Sequence, residues 1–250
     1  MKDNSTRELL IRYAEEYETS SFINGDPSWF MHQVEGETNQ EVTAFVAASL
    51  SYGSRSQFLP KIQWLLDSAD GNMSEWLSSG NFSNVVSADN NQCFYRLYTF
   101  HDMNLFLYRL RQMLLEHGSI GQYVRQHSDG DGLSAVESLC RWFACGNAGH
   151  IVPKDAKSAC KRICMFLRWM VRSGSPVDLG LWSDFIDRRK LIMPLDTHVL
   201  QQSVRLGLLQ SKTATMNTAR RLTDKLAEIF PDDPLKGDFA LFGYGVNKLT

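Results

Sequence analysis

Two short stretches carry residue types that could do covalent chemistry. In "PLDTHV", Asp196 follows an apolar run and Pro194, opens an amphipathic segment, and stands just before His198. In "SACKRICMFLRWMVR", Lys161 leads a segment that also holds Arg162, Arg168 and Arg172. A lysine amine attacks an electrophilic carbon once it is neutral, and a fixed carboxylate can stabilise the developing positive charge or move a proton. Each stretch also has a purely structural reading. Aspartate is among the best helix N-caps, accepting hydrogen bonds from the first free amides for about 1 kcal/mol. Cap and catalyst are compatible, because a capped carboxylate is held rigidly and aimed out of the helix start. A basic helix face is, by default, a solvated face.

The surroundings of Lys161 favour an anionic ligand. Lys154, Lys157, Lys161, Arg162, Arg168 and Arg172 face the single acid Asp155 over residues 154 to 172, although the whole chain carries a formal charge of only -2. The spacing predicts a helix over 155–173. At roughly 100° per residue, Ile163, Phe166, Leu167 and Met170 form one apolar stripe, and Lys161, Arg168 and Arg172 fall opposite it. This helix is expected to be buried on one side and to show a basic line on the other. Lys157, Arg162 and Arg168 would crowd Lys161 and favour its neutral form. The same cations, with free amides at a helix start near Ser158, would suit a phosphate.

The elements that must position these groups read as helices. Apolar residues recur at helical spacing near 5–18, 39–51, 55–68, 73–78, 92–99, 102–117, 118–125, 132–145, 155–173, 179–185, 196–206, 213–229 and 234–243. The 39–51 segment, "EVTAFVAASLSYG" in its core, is nearly continuous in apolar and small residues and is expected to be buried. Loops are marked by Gly, Asn and Asp at "SADGN", "SSGNFSN", "HSDGDG" and "GNAGH". The fold class is all-α. A chain of 250 residues with 43% hydrophobic and 22% charged residues can bury a sizeable core. No segment has the length and apolarity of a membrane span or signal peptide, so a cytoplasmic protein is expected. The five cysteines, Cys93, Cys140, Cys145, Cys160 and Cys164, match no zinc or iron–sulfur spacing and read as free thiols, mostly buried. The six tryptophans read as packing residues.

With these residues in view, a resemblance becomes specific. "PLDTHV" followed by "RLGLL" resembles the catalytic-aspartate segment of the helix-hairpin-helix DNA glycosylase superfamily, the group of endonuclease III and of archaeal 8-oxoguanine glycosylases. "FVAASLSYGSRSQ" resembles that fold's early buried helix and the polar turn after it, "SACKRICMFLRWMVR" its lysine-bearing helix, and "DFALFGYGV" its late helix. Over nearly its whole length the chain resembles a bacterial family known as domain of unknown function 2400. The superfamily resemblance implies a two-lobed helical fold with a cleft between lobes, taken as 38–150 and as 1–37 plus 151–250 within one structural unit. It implies removal of a damaged base flipped out of DNA, with or without AP-lyase cleavage. Lys161 then takes the role of nucleophile and Asp196 that of the stabilising and activating carboxylate. Lys157, Ser158, Arg162, Arg168, Arg172 and Arg205 are expected to hold nucleic acid, and Tyr52, Gly53, Ser54, Arg55, Gln57, His198 and Asp238 to line the pocket. Damaged or abasic DNA is the expected partner, with no cofactor, metal ion or membrane.

The chain also departs from the superfamily pattern. The glycine hairpin before the lysine is replaced by "HIVPKDAKSACK", which has no glycine, Gln201 stands where an arginine is usual, and no cysteine follows Cys164, so no iron–sulfur cluster is expected. Two other readings compete. A catalytically silent helical module could bind nucleic acid or protein through the basic stripe. A metal-dependent phosphohydrolase could use the pair His101 and Asp102, with His32 as an upstream ligand, although the pair also sits where a helix cap belongs.

Overall fold

The computed structural model describes residues 2–145 and 150–249. The loop expected at 146–150 lies, apart from His150, outside them. In chain order the helices are α1 (Lys2–Tyr17), α2 (Glu37–Leu50), α3 (Arg55–Ser68) and α4 (Met73–Ser79). A two-stranded hairpin, β1 (Cys93–Tyr95) and β2 (Tyr98–Thr99), comes next. Then follow α5 (Phe100–His117), α6 (Ile120–His127), α7 (Gly132–Ala144), α8 (Lys161–Val171), α9 (Thr197–Arg205), α10 (Met216–Ala227) and α11 (Lys236–Leu249). The protein is all-α apart from the hairpin. Among the described residues no helix is long and apolar enough to cross a membrane.

Several helix starts are closed by the side chains the sequence supplies for that purpose. Asn72, Ser119, Asp196 and Thr215 each accept a backbone N–H two or three residues into α4, α6, α9 and α10. Thr99 and Asp102 form a reciprocal capping box at α5.

Three expected helices differ from what the structure shows. Residues 92–99 form the hairpin, because Phe94, Tyr95 and Tyr98 bury their rings on a pleated surface and Arg96 takes φ 53 at the turn. Residues 179–185 form turns rather than a helix: Leu179 and Gly180 donate their amides to the Trp169 carbonyl, and Trp182 donates to that of Met170. Gly180 sits at φ +69, where a Cβ would come within 2.7 Å of Ser173 Cα. The helix expected over 155–173 begins only at Lys161. Ser158 pairs with Thr215 in an isolated bridge, Met216 donates to the Lys157 carbonyl, and Cys160 adopts φ 45. That left-handed residue breaks any helical continuation from 155.

The chain divides into two compact units. The second comprises Gly25–Asp129 and Glu137–Asp155. Its core is α2, buried from Glu41 to Leu50 as its near-continuous apolar run predicts. Phe45 stacks on Phe106 of α5 and Phe143 of α7. The buried Glu41 carboxylate accepts the Gly121 amide at 3.0 Å.

The first unit comprises Met1–Asn24, Gly130–Val136 and Ala156–Thr250, and here α1 packs on α11 and α11 on α9. Its core holds charge. Arg168 and Arg172 are 3% and 1% exposed, so the expected basic line on α8 is buried. Arg168 Nε donates to Asp178 Oδ1 at 3.2 Å, and its Nη1 donates to Asp238. Arg172 Nη1 donates to the other oxygen of Asp178, while its remaining nitrogens reach Asp233 at 2.8 to 3.1 Å and Glu18 at 2.6 Å. Phe239 lies under both guanidiniums, at 4.7 and 5.4 Å. Burial alone would push Arg172 down; its hydrogen bonds to Asp233 and the charges of Asp178, Asp233 and Glu18 outweigh it and hold the guanidinium above its ordinary range.

Removing one side of such a buried network leaves the other side charged and unpaired. We expect Arg172→Ala to cost about 3–5 kcal/mol, read as a lower midpoint in urea denaturation, and Arg189→Ala, on an exposed pair, to leave the midpoint nearly unchanged.

Candidate functional site

The catalytic pair expected from the sequence meets in space. Asp196 precedes α9 in extended backbone at φ -107, after the buried run Leu191 to Leu195, which fixes where the helix starts. Its Oδ1 accepts the Val199 amide at 2.8 Å and closes the helix. Its Oδ2 lies 3.9 Å from Lys161 Nζ, with the two side chains 41% and 30% exposed. Asp196 is thus both the cap of α9 and the ionic partner of Lys161. Lys161 is the first residue of α8, a helix buried from Ile163 to Val171, so the amine is carried on a rigid element and emerges at its open end.

A second carboxylate belongs to the same cluster. Asp238, in the first turn of α11, has a side chain only 17% exposed, and one of its oxygens is held by Arg168. Burial pushes its pKa above the ordinary carboxylate range. Arg168 and then Lys161 pull it down, and the Asp196 charge adds to the rise. Lys161 is paired with the Asp196 carboxylate, and the crowding by Arg168 expected from the sequence is not what it meets: that guanidinium is turned inward between Asp178 and Asp238. A lysine paired with a fixed carboxylate is an arrangement in which a proton can be moved and a cationic intermediate stabilised.

The other residues fall into three groups. His198 is exposed and lies over α11, where a Cβ on Gly245 would come within 2.5 Å of its Nε2. Lys157 and Ser158 are exposed on the strap before α8, not on the helix, Arg162 is half-buried in its first turn, and Arg205 is exposed in the last turn of α9. Arg168 and Arg172 are excluded from any phosphate-facing surface of the first unit by their burial and their four acids.

Tyr52, Gly53, Ser54, Arg55 and Gln57 belong to the second unit, between α2 and α3 or in the first turn of α3. There the Tyr52 carbonyl accepts the Tyr95 hydroxyl, and Arg96 lies 5.1 Å from the Tyr52 ring. Gly53 has φ +86, Arg55 reaches Asp26 at 3.4 Å, and Gln57 is exposed.

Asp178, Asp233 and Glu18, which complete the arginine network, were not anticipated. The one sequence signal for them is negative: a nearly all-apolar helix carrying two arginines demands buried acids somewhere.

The features behind the competing readings have structural duties. His101 Nδ1 lies 2.5 Å from the Ala88 carbonyl, and Asp102 accepts the Thr99 amide and hydroxyl, both at 2.8 Å. Among the described residues no group of three His, Cys, Asp or Glu side chains is placed to hold a metal ion. Cys140, Cys160 and Cys164 are buried, while Cys93 and Cys145 are exposed. Burial, with Cys160 adding to it, pushes the Cys164 thiol far up, so it is inert as a nucleophile.

The model of a family described as protein of unknown function, DUF2400, matches residues 26–247. The chain belongs to this family. The matched span contains Lys161, Asp196 and Asp238, and so the whole cluster is a feature of a DUF2400 member. Comparison with curated proteins and with solved structures gives no match.

The two duties of Asp196 separate on mutation. Asp196→Ala removes the cap and is expected to cost about 1 kcal/mol, whereas Asp196→Asn keeps a capping oxygen and should cost a few tenths; urea denaturation of both variants measures the difference.

Proposed function

We propose that this chain is a DNA glycosylase with AP-lyase activity that removes a damaged base. The observation that carries the reading is the contact at 3.9 Å between Lys161 Nζ and Asp196 Oδ2, made by residues distant in sequence and each fixed at a helix start. The Lys161 lone pair attacks C1′ of the extruded nucleotide, and the electrons of the N-glycosidic bond leave with the base. Ring opening gives a protonated Schiff base, from which the 3′ phosphate is eliminated. Asp196, held by its cap bond, faces the positive charge that develops on the sugar and on nitrogen. Lys157, Ser158, Arg162 and Arg205 supply phosphate contacts on this reading, and a two-lobed fold of the glycosylase kind goes with it. The missing glycine hairpin is the sequence's departure from the superfamily; a strap pinned by the Ser158 and Thr215 bridge enters α8 instead.

Borohydride reduction tests the reading, because it converts a Schiff base into a stable amine. Wild-type protein incubated with duplex DNA bearing an abasic site or an oxidised base should give a covalent complex, with Lys161→Ala giving none and Asp196→Asn trapping about 100-fold more slowly. Tight DNA binding with neither trapping nor base release over a broad lesion panel would overturn it in favour of a non-catalytic binding module.

A further inference from the structure

The two segments that bring Lys161 and Asp196 together are tied to one helix, α10. Ahead of Lys161, Ser158 pairs with Thr215, the cap of α10, and the Lys157 carbonyl accepts the Met216 amide at 3.3 Å. Ahead of Asp196, the Met193 amide donates to Thr223 Oγ1 at 2.9 Å, about two turns further along the same helix. Ser158 and Met193 each lie three residues before the side chain of the pair that follows.

The bond at Thr223 is closely defined. Its hydroxyl donates to the Ala219 carbonyl one turn back, at 2.9 Å, which fixes the hydrogen and leaves a lone pair for Met193. Both Thr223 and Met193 are buried. Pro194 follows and has no N–H to give, and among the described residues no other hydrogen bond ties residues 192 to 195 to another element. Upstream, the run passes Gly132 of α7 so closely that a Cβ there would come within 2.7 Å of the Lys190 carbonyl oxygen and 2.9 Å of Leu191 Cα.

We propose that Thr223 is a positioning residue for Asp196: by holding the Met193 amide it sets where the carboxylate stands relative to Lys161, so that α10 gauges the separation of the pair. The chemical consequence rests on the glycosylase and lyase reading above; the geometric one does not. The cap bond to Val199 fixes Asp196 relative to α9 alone. Where α9 starts relative to α8 depends on the packing of α9 on α11 and on the run before it, and the run acts at the end where Asp196 stands. Without the hydroxyl, the Met193 amide is buried with no acceptor, and the run must shift to find one. A shift of about 1 Å in a reacting group is enough to slow a reaction on the order of 100-fold.

The test reads geometry and chemistry separately on the full chain. A water-soluble carbodiimide joins a carboxylate to an amine with no spacer, so it couples Asp196 to Lys161 only while the two stay in contact, and peptide mass spectrometry measures the product. Single-turnover borohydride trapping on abasic-site DNA measures the reaction, with DNA affinity determined alongside. Thr223→Val keeps the shape of the side chain and removes the hydroxyl. It should lower the cross-link yield at least about fivefold and slow trapping about 10- to 100-fold, with DNA affinity unchanged. Thr223→Ser restores the hydroxyl and should leave both at wild-type levels. Leu10→Val, in the buried face of α1 in the same unit, should also leave both unchanged, which separates positioning from a general loss of stability.

If Thr223→Val does not fold, Thr223→Ala takes its place, since the smaller side chain makes room for a water at the Met193 amide, and it should show the same losses in weaker form. A wild-type cross-link yield without the hydroxyl, or wild-type trapping by a variant whose cross-link is lost, overturns the proposal. Absence of the cross-link in wild type overturns it as well. A wild-type protein that cross-links but never traps overturns the lyase reading instead, and the cross-link yields alone then decide whether Thr223 positions Asp196.

Discussion

The first unit is organised around two arginines that cannot leave the core. Arg168, in the last turn of α8, and Arg172, the residue just after its end, share the fully buried Asp178, and end on Asp238 at one side and on Asp233 with Glu18 at the other. Taking each ion out of water costs several kcal/mol after relaxation, and the cost is offset only if nearly every donor finds an oxygen at good geometry. The guanidinium fork is suited to this because its donors are planar and fixed relative to one another. The result is a strict placement rule. Glu18 after α1, Asp178 in the turns after α8, Asp233 before α11 and Asp238 in its first turn must each sit at a set position, or the core holds an uncompensated charge.

That rule reaches the candidate site through one bond. Arg168 fixes Asp238, the charges of Lys161 and Asp196 act on that carboxylate, and Asp196 is fixed independently by the Val199 amide of α9. Two carboxylates of the first unit are therefore set by different means, one by a helix cap at the surface and one by a buried ion network. They differ in exposure, and burial raises the pKa of Asp238 above the ordinary carboxylate range. Precision of this kind comes from supports that have other structural work to do.

How far the sequence discloses this depends on whether a residue's duty is local. Asp196 as a cap, Thr99 with Asp102 as a capping box, and α2 as a buried helix are all decided within a turn or two of chain, and the sequence shows them. The pairing of Lys161 with Asp196 became visible through resemblance, since nothing in periodicity links residues so far apart. The polarity of α8 misled for a physical reason: a helical wheel reports which residues share a face, and a polar face opposite an apolar stripe is assigned to solvent. Here the partners that bury that face, Asp178, Asp233, Asp238 and Glu18, come from other elements, and no single-helix pattern contains them. Residues 92–99 misled differently. Their aromatic spacing suits a helix stripe and a short hairpin equally, and the choice fell to Arg96, which accepts the left-handed turn that a non-glycine residue usually avoids.

The entrance to α8 shows the same tension between local cost and placement. Cys160 takes a left-handed conformation without glycine's freedom and gives the helix no side-chain cap. The next residue is a lysine, whose ammonium faces the positive end of the helix dipole, an arrangement unfavourable by about 0.3–1 kcal/mol. A residue chosen for helix stability alone would be an acid or a small polar cap. Asp196 and Asp238 act against the dipole's effect from outside the helix, so the amine is held where α8 itself disfavours its charge and where two carboxylates oppose that preference.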